Sequence, residues 1–122
     1  MPPFIFLPNP MNDLEIEINS ITDIVIECCV THLQNGSASI TKEEVLSKSK
    51  KENATIARYM LSNYLLKFGL STTTISLMFN CSAQSVRNML SHHEDWMKNS
   101  QAYRIANAQV IAKLFARNKQ VI

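Results

Sequence analysis

The run Leu70-Ser-Thr-Thr-Thr-Ile-Ser-Leu-Met-Phe-Asn-Cys-Ser-Ala-Gln-Ser-Val-Arg-Asn-Met-Leu90 decides how this chain reads. Ser71 sits where a helix N-cap belongs, and Leu70 with Ile75 takes the spacing of a hydrophobic staple across it. Ile75, Leu77, Met78 and Phe79 then supply the packed face of a two-turn helix. Asn80 follows, a residue that tolerates positive φ better than most and so suits a tight turn. Cys81 is small and apolar and faces back towards the core. Ser82 caps a second helix that carries Val86 and Leu90. A short helix, an Asn turn and a capped helix with buried residues four and eight places after its cap describe a helix-turn-helix.

Helices also fill the rest of the chain. From about Asn12 to Gln34, Ile21, Ile24, Val25, Cys28, Cys29 and Leu33 form a wide apolar stripe, and Asn35-Gly36 ends it. Leu14-Glu-Ile-Glu-Ile18 alternates like a strand, but a strand without a partner beside a strong helix is less favourable than an early helical turn. Thr41-Lys-Glu-Glu44 before Val45 is a capping box, with Ile40 and Val45 as its staple. It opens a short helix ending at Ser47, and the Lys48-Ser-Lys-Lys51 cluster that follows is a loop. Asn53 caps a helix to about Phe68, with Ile56, Leu61, Tyr64, Leu65 and Phe68 inward, and Gly69 stops it. The recognition helix ends at His92 and His93, a polar terminus beside Glu94 and Asp95, and Trp96 is a partly buried core residue. Asn99-Ser100 opens a last helix to about Arg117, with Tyr103, Ala106, Val110 and Leu114 on one face and Arg104, Lys113, Arg117 and Lys119 as a solvated basic face. The fold expected is all-α: a small multi-helix domain with a central helix-turn-helix. Residues 1–19 form an acidic, proline-rich extension and residues 20–122 the domain.

The chain has 122 residues, 46% of them hydrophobic and 18% charged, enough for one packed core and too little charge for disorder. It holds two glycines, Gly36 and Gly69, and neither lies in a phosphate-cradling run. A domain that hydrolyses nucleotides or binds dinucleotides is thereby excluded. Net charge is +2, but residues 1–40 carry five acids and no Lys or Arg, whereas residues 41–122 carry all 12 basic residues and a net charge of +7. A basic body behind an acidic leader points to a polyanionic partner. Three cysteines in no zinc-like spacing read as free buried thiols of a reducing cytoplasm. Cys28 and His32 share a helical turn, but with no second pair of ligands they read as helix packing rather than a metal site. The apolar start lacks a basic n-region and is broken by prolines, so it does not read as a signal peptide, and no apolar run is long enough to cross a bilayer. No catalytic constellation emerges: no serine or cysteine nucleophile is placed near His92 and His93. The expectation is a non-enzyme without cofactor, metal, nucleotide or membrane partner.

These elements, taken in order from about Ile21 to Leu114, resemble the C-terminal DNA-binding domain of the bacterial replication initiator DnaA. Ile21-Thr-Asp-Ile-Val25 resembles its first helix, and Glu44-Val-Leu-Ser-Lys-Ser-Lys-Lys51 its "DLLSK" basic loop. Ala57-Arg-Tyr-Met-Leu61 resembles its "aRqiAmyL" helix. Gly69-Leu-Ser71 through Ile75 and Phe79 resembles "tgLSlpeIgrlF". The family's "GRDHSTV" signature is replaced by Asn80-Cys-Ser-Ala-Gln-Ser-Val86, so the scaffold is kept and the reading head differs.

The resemblance implies a cytoplasmic, nucleoid-associated bacterial protein that binds double-stranded DNA, in replication control, transcription or a mobile element. A homodimer or a replication protein would be further partners. In such a domain the second helix of the motif enters the major groove with its N-terminal end towards base edges. Ala83 offers a methyl contact, Gln84 an amide that pairs bidentately with adenine, Ser85 a hydroxyl, and Arg87 and Asn88 the next exposed turn. Lys48, Lys50 and Lys51 match the basic loop and are assigned to phosphates, as is Arg58. Ser82 meets a phosphate as it caps, and Thr72 and Thr73 donate from a helix start. The alternative is a protein-interaction module that has kept the fold and lost specific DNA reading.

Overall fold

A computed structural model describes residues 10–33, 41–47 and 52–121, with side chains over 17–31, 41–47 and 54–116. The described residues form six helices, α1 (Pro10–Leu33), α2 (Lys42–Val45), α3 (Glu52–Phe68), α4 (Thr72–Phe79), α5 (Ala83–Asn99) and α6 (Gln101–Val121), with no strand among them. The all-α expectation holds. The alternating stretch before Ile18 lies inside α1, so the boundary drawn between residues 19 and 20 falls within a continuous helix.

α1 lies against α6 and α3, α3 against α5, and α4 against α5. Their shared core is Val25, Cys28 and Cys29 from α1, Met60, Leu61 and Leu65 from α3, Ile75 and Phe79 from α4, Val86 from α5, and Tyr103, Ala106 and Val110 from α6. Burying side chains of this size contributes about 1.5–3 kcal/mol each. Two buried polar pairs fix how the long helices sit. The Tyr64 hydroxyl donates to Asn107 Oδ1 at 2.6 Å, tying α3 to α6, and His93 Nδ1 shares a 2.6 Å hydrogen bond with the Tyr103 hydroxyl, tying α5 to α6. Desolvation raises both phenols above their ordinary range, so both stay protonated. The same burial raises the Cys28 thiol and pushes Cys29 up to about 12, which keeps these free thiols unreactive.

The two joints around α4 share one construction. At Gly69 (φ 120°) the Gly69 N–H donates to Leu66 O and the Leu70 N–H to Leu65 O. At Asn80 (φ 55°) the Asn80 N–H donates to Leu77 O and the Cys81 N–H to Ser76 O. Each is a Schellman ending, closed by a left-handed residue. Each is followed by one apolar residue packed on the core and then a serine cap, Ser71 accepting from Thr74 N at 3.1 Å and Ser82 from Ser85 N at 3.0 Å. Gly69-Leu-Ser71 and Asn80-Cys-Ser82 thus reverse the chain in three residues twice. The capping box at α2 is also present, with Glu44 N donating to Thr41 Oγ1 and Thr41 N to Glu44 Oε1.

Several expectations need correction. Leu77, assigned to the packed face of α4, is 76% exposed, and Phe68 is also exposed. His92 and His93 do not end the second helix of the motif. α5 runs on to Asn99, because Trp96 and His93 continue its buried stripe onto Tyr103, the two rings lying 5.8 and 5.4 Å from it. His93 is buried, while His92 is exposed and stacks on Tyr59. Arg104, expected to be merely solvated, donates through Nη1 to Met97 O and Lys98 O and so closes the end of α5.

Desolvation holds His93 below the ordinary imidazole value of 6.5, with Glu94 opposing and Lys67 reinforcing it. The unfolded chain therefore takes up a proton that the folded chain refuses. Stability is fully present above that value and is lost as pH falls towards the lower folded one. Chemical denaturation between about pH 7 and about pH 5 should show a steeper loss for the wild type than for His93→Gln. At the α4–α5 joint, Asn80→Val should lower stability by about 1–2 kcal/mol in urea unfolding followed by circular dichroism, while Asn80→Gly stays close to wild type.

Candidate nucleic-acid interface

The first turns of α4 and α5 carry most of the candidate residues that lie within the described chain. Capping by Ser71 and Ser82 satisfies the third amide of each helix and leaves the first two, those of Thr72 and Thr73 and of Ala83 and Gln84, without intrahelical acceptors. Such paired amides, at the positive end of the helix dipole, are suited to anions. Neither first turn contains an acid, whereas that of α2 carries Glu43 and Glu44.

Gln84, Arg87 and Asn88 lie exposed on consecutive turns of α5, with Ala83 and Ser85 half-buried beside them. They form one network. Arg87 donates through Nε at 3.2 Å and Nη2 at 3.0 Å to Gln84 Oε1, and Gln84 Nε2 donates to Asn88 Oδ1 at 3.1 Å. The i,i+3 and i,i+4 spacings place these side chains side by side. Ser82 Oγ donates to Ser85 Oγ at 3.0 Å, which leaves the Ser85 hydroxyl proton facing away from the cap. The coupling within this trio is what a residue-by-residue reading of the sequence passes over, although the spacing that produces it is visible there.

Asp23 and Glu27 of α1 do not cover this face. Asp23 pairs with Lys42 at 3.0 Å and Glu27 with Lys113 at 3.6 Å, both on the side where α1 meets α2 and α6. Lys48, Lys50 and Lys51, the anchoring loop of the sequence reading, lie outside the described residues.

Arg58 is a correction. Expected to point at phosphates, it is 6% exposed and donates through Nε to Val45 O at 2.8 Å and through Nη2 to Glu44 O at 2.9 Å. Those are carbonyls at the end of α2, of which Glu44 O also accepts from Ser47 N and the Ser47 hydroxyl. The guanidinium is spent on docking α2 against α3, and desolvation lowers its pKa from the ordinary arginine value.

Other features of the surface are modest. An open cleft of about 280 Å³ beside Asp95, Trp96, Asn99 and Ser100 is smaller than most small-molecule sites, and the Ser100 hydroxyl there accepts from Tyr103 N as the cap of α6. Among the described residues there is no cluster of three metal-ligating side chains, and no helix is long and apolar enough to cross a membrane. Comparison with models of known families, with curated proteins and with solved structures finds no match.

The new role of Arg58 has a direct test. Arg58→Gln should destabilise the fold by about 1.5–3 kcal/mol in urea unfolding without any nucleic acid, as expected for lost charge-assisted hydrogen bonds. Unchanged stability in that variant would return Arg58 to the surface.

Proposed function

We propose that this protein binds double-stranded DNA, with α4 and α5 acting as a helix-turn-helix and α5 lying in the major groove. The observation that carries this reading is the exposed Gln84–Arg87–Asn88 network on the N-terminal half of a helix held from behind by Val86, His93 and Trp96. A recognition helix needs that combination, a polar outer face on a rod that does not shift when it meets base edges.

Three features support it. The joint at Asn80 is tight and left-handed, as the turn between such helices requires. The starts of α4 and α5 offer acid-free amides to two stretches of phosphate. The region from residue 41 onward carries a net charge of +7. In this reading Gln84, Arg87 and Asn88 face bases, with Ala83 and Ser85 at the groove edge. Ser82, Thr72 and Thr73 meet the backbone, as do Lys48, Lys50 and Lys51. The sequence resemblance to the DNA-binding domain of the replication initiator DnaA fits this assignment, and the altered signature Asn80–Val86 implies a DNA site of its own. We place the protein in the bacterial cytoplasm on the nucleoid, without a cofactor and without catalysis.

A second reading, contact with protein, rests on α6. Its outward side exposes Ile105, Ile111 and Phe115, the last at 61%. A concentration-dependent mass in sedimentation, abolished by Phe115→Glu, together with no affinity for any duplex at low salt, would favour that reading over DNA.

Fluorescence anisotropy with a random duplex at low salt tests the DNA reading. Binding is expected, with log K falling linearly against log salt. Lys50→Ala should weaken binding to all sequences and make the slope shallower by about 1, whereas Gln84→Ala should change sequence preference and leave the slope in place. If both variants match the wild type, the DNA assignment fails.

A further inference from the structure

Resting on that DNA reading, the geometry points to guanine rather than adenine as the base selected by α5. The inference starts from the one member of the network whose chemistry has no ambiguity. A guanidinium has five N–H donors and no acceptor. Whatever atom of Gln84 faces Arg87 must therefore be the oxygen, as found, with Nε and Nη2 both directed at Oε1. That fixes the amide. Gln84 Nε2 must point the other way, towards Asn88, and Asn88 must in turn present its oxygen to it. The polarity of all three side chains follows from Arg87 alone.

Both lone pairs of Gln84 Oε1 are then occupied. What remains for a ligand is three N–H groups of Arg87, one of Gln84 and the two on Asn88 Nδ2, against a single lone pair on Asn88 Oδ1. The Ser85 hydroxyl, already accepting from Ser82, adds one more donor and one more lone pair at the same edge, so donors still far outnumber acceptors. We propose that this donor-dominated cluster selects guanine at the position facing Gln84 and Arg87. In the major groove guanine shows two acceptors, N7 and O6, while adenine shows N7 and an N6 donor that needs an acceptor in return. The pairing of a free glutamine amide with adenine uses its oxygen, and here that oxygen is held by Arg87. Arg87 is thus a specificity-determining residue twice over, as a donor to the base and as the clamp that removes Gln84's acceptor.

Selection of duplexes from a random library, followed by measurement of the best site, tests this. Guanine should be enriched at one or two adjacent positions. Replacing it with 7-deazaguanine, which lacks the N7 acceptor, should weaken binding at least about fivefold, and replacing it with adenine by at least as much. Arg87→Met, which frees Gln84 Oε1, should move the preference at that position towards adenine. Gln84→Glu keeps an oxygen on Arg87 and turns the outward N–H into an acceptor, so it should move the preference towards cytosine, whose N4 donates. Both substitutions are at exposed positions, and unchanged circular dichroism verifies the fold. Adenine selected by the wild type, or tight binding without any base preference, overturns the guanine assignment and leaves DNA binding standing. Absence of binding to every duplex at low salt overturns both.

Discussion

The left-handed backbone at Asn80 is the constraint on which the exposed face of α5 depends. A helix that ended in an ordinary way after Phe79 would carry its chain onward for several residues before another helix began. The Schellman ending returns two amides to Ser76 and Leu77, reverses the chain and hands it to the Ser82 cap within three residues. Cys81, the residue between, packs on the core, so the joint is pinned by burial as well as by hydrogen bonds. The register of α5 follows. With Ser82 fixed as the cap, Val86 falls four residues later on the buried side, and Gln84, Arg87 and Asn88 have only solvent to face. A shift of one residue would turn the polar trio towards α3 and Val86 outward.

The remainder of the fold holds this helix stiff. α5 is anchored at its start by the joint, along its middle by Val86 against α3 and α4, and towards its end by the His93–Tyr103 pair with Trp96 beside it. Arg104 then closes its last carbonyls from the following helix, while Ser100 ends α5 and caps α6 in a single residue. The buried imidazole costs stability in acid, but a hydrocarbon there would leave the Tyr103 hydroxyl buried without this partner, a loss of about 1–3 kcal/mol. Position along the helix thus divides the labour: polar and exposed in the first two turns, apolar and tied down thereafter.

Local chemistry was legible in the sequence, and tertiary chemistry was not. The capping box at Thr41–Glu44, the serine caps at Ser71 and Ser82, the stop at Gly69 and the positive φ of Asn80 are each decided within four or five residues, so reading them needs no knowledge of the fold. The buried stripes of α1, α3 and α6 follow from periodicity in the same way. Arg58 shows where this runs out. An arginine on a helix next to a lysine cluster looks like a surface cation, and only the arrival of the carbonyls at the end of α2, 13 and 14 residues back along the chain, draws it inward. His93 was misread for a similar reason: its partner Tyr103 lies ten residues ahead, across a helix boundary the sequence placed too early. Leu77 erred in the opposite sense, since an eight-residue helix packed mainly on one neighbour has no second surface to bury it. At the candidate site the residues themselves were legible, but their hydrogen-bond polarity was not, because it depends on which rotamers meet.

The charge pattern can be weighed the same way. Acids in a first turn stabilise a helix by about 0.3–1 kcal/mol each, and α2 takes that benefit twice, through Glu43 and Glu44. α4 and α5 take it nowhere: their opening turns are Thr-Thr-Thr and Ala-Gln-Ser, and the first acid on α5 is Glu94, three turns in. The described acids Asp23 and Glu27 sit instead on α1, in exposed ion pairs worth little to stability. For folding alone, an acid at Thr73 or Gln84 would be an improvement. Leaving those positions neutral keeps two positive helix ends uncompensated, which is a cost without return unless something anionic is meant to meet them.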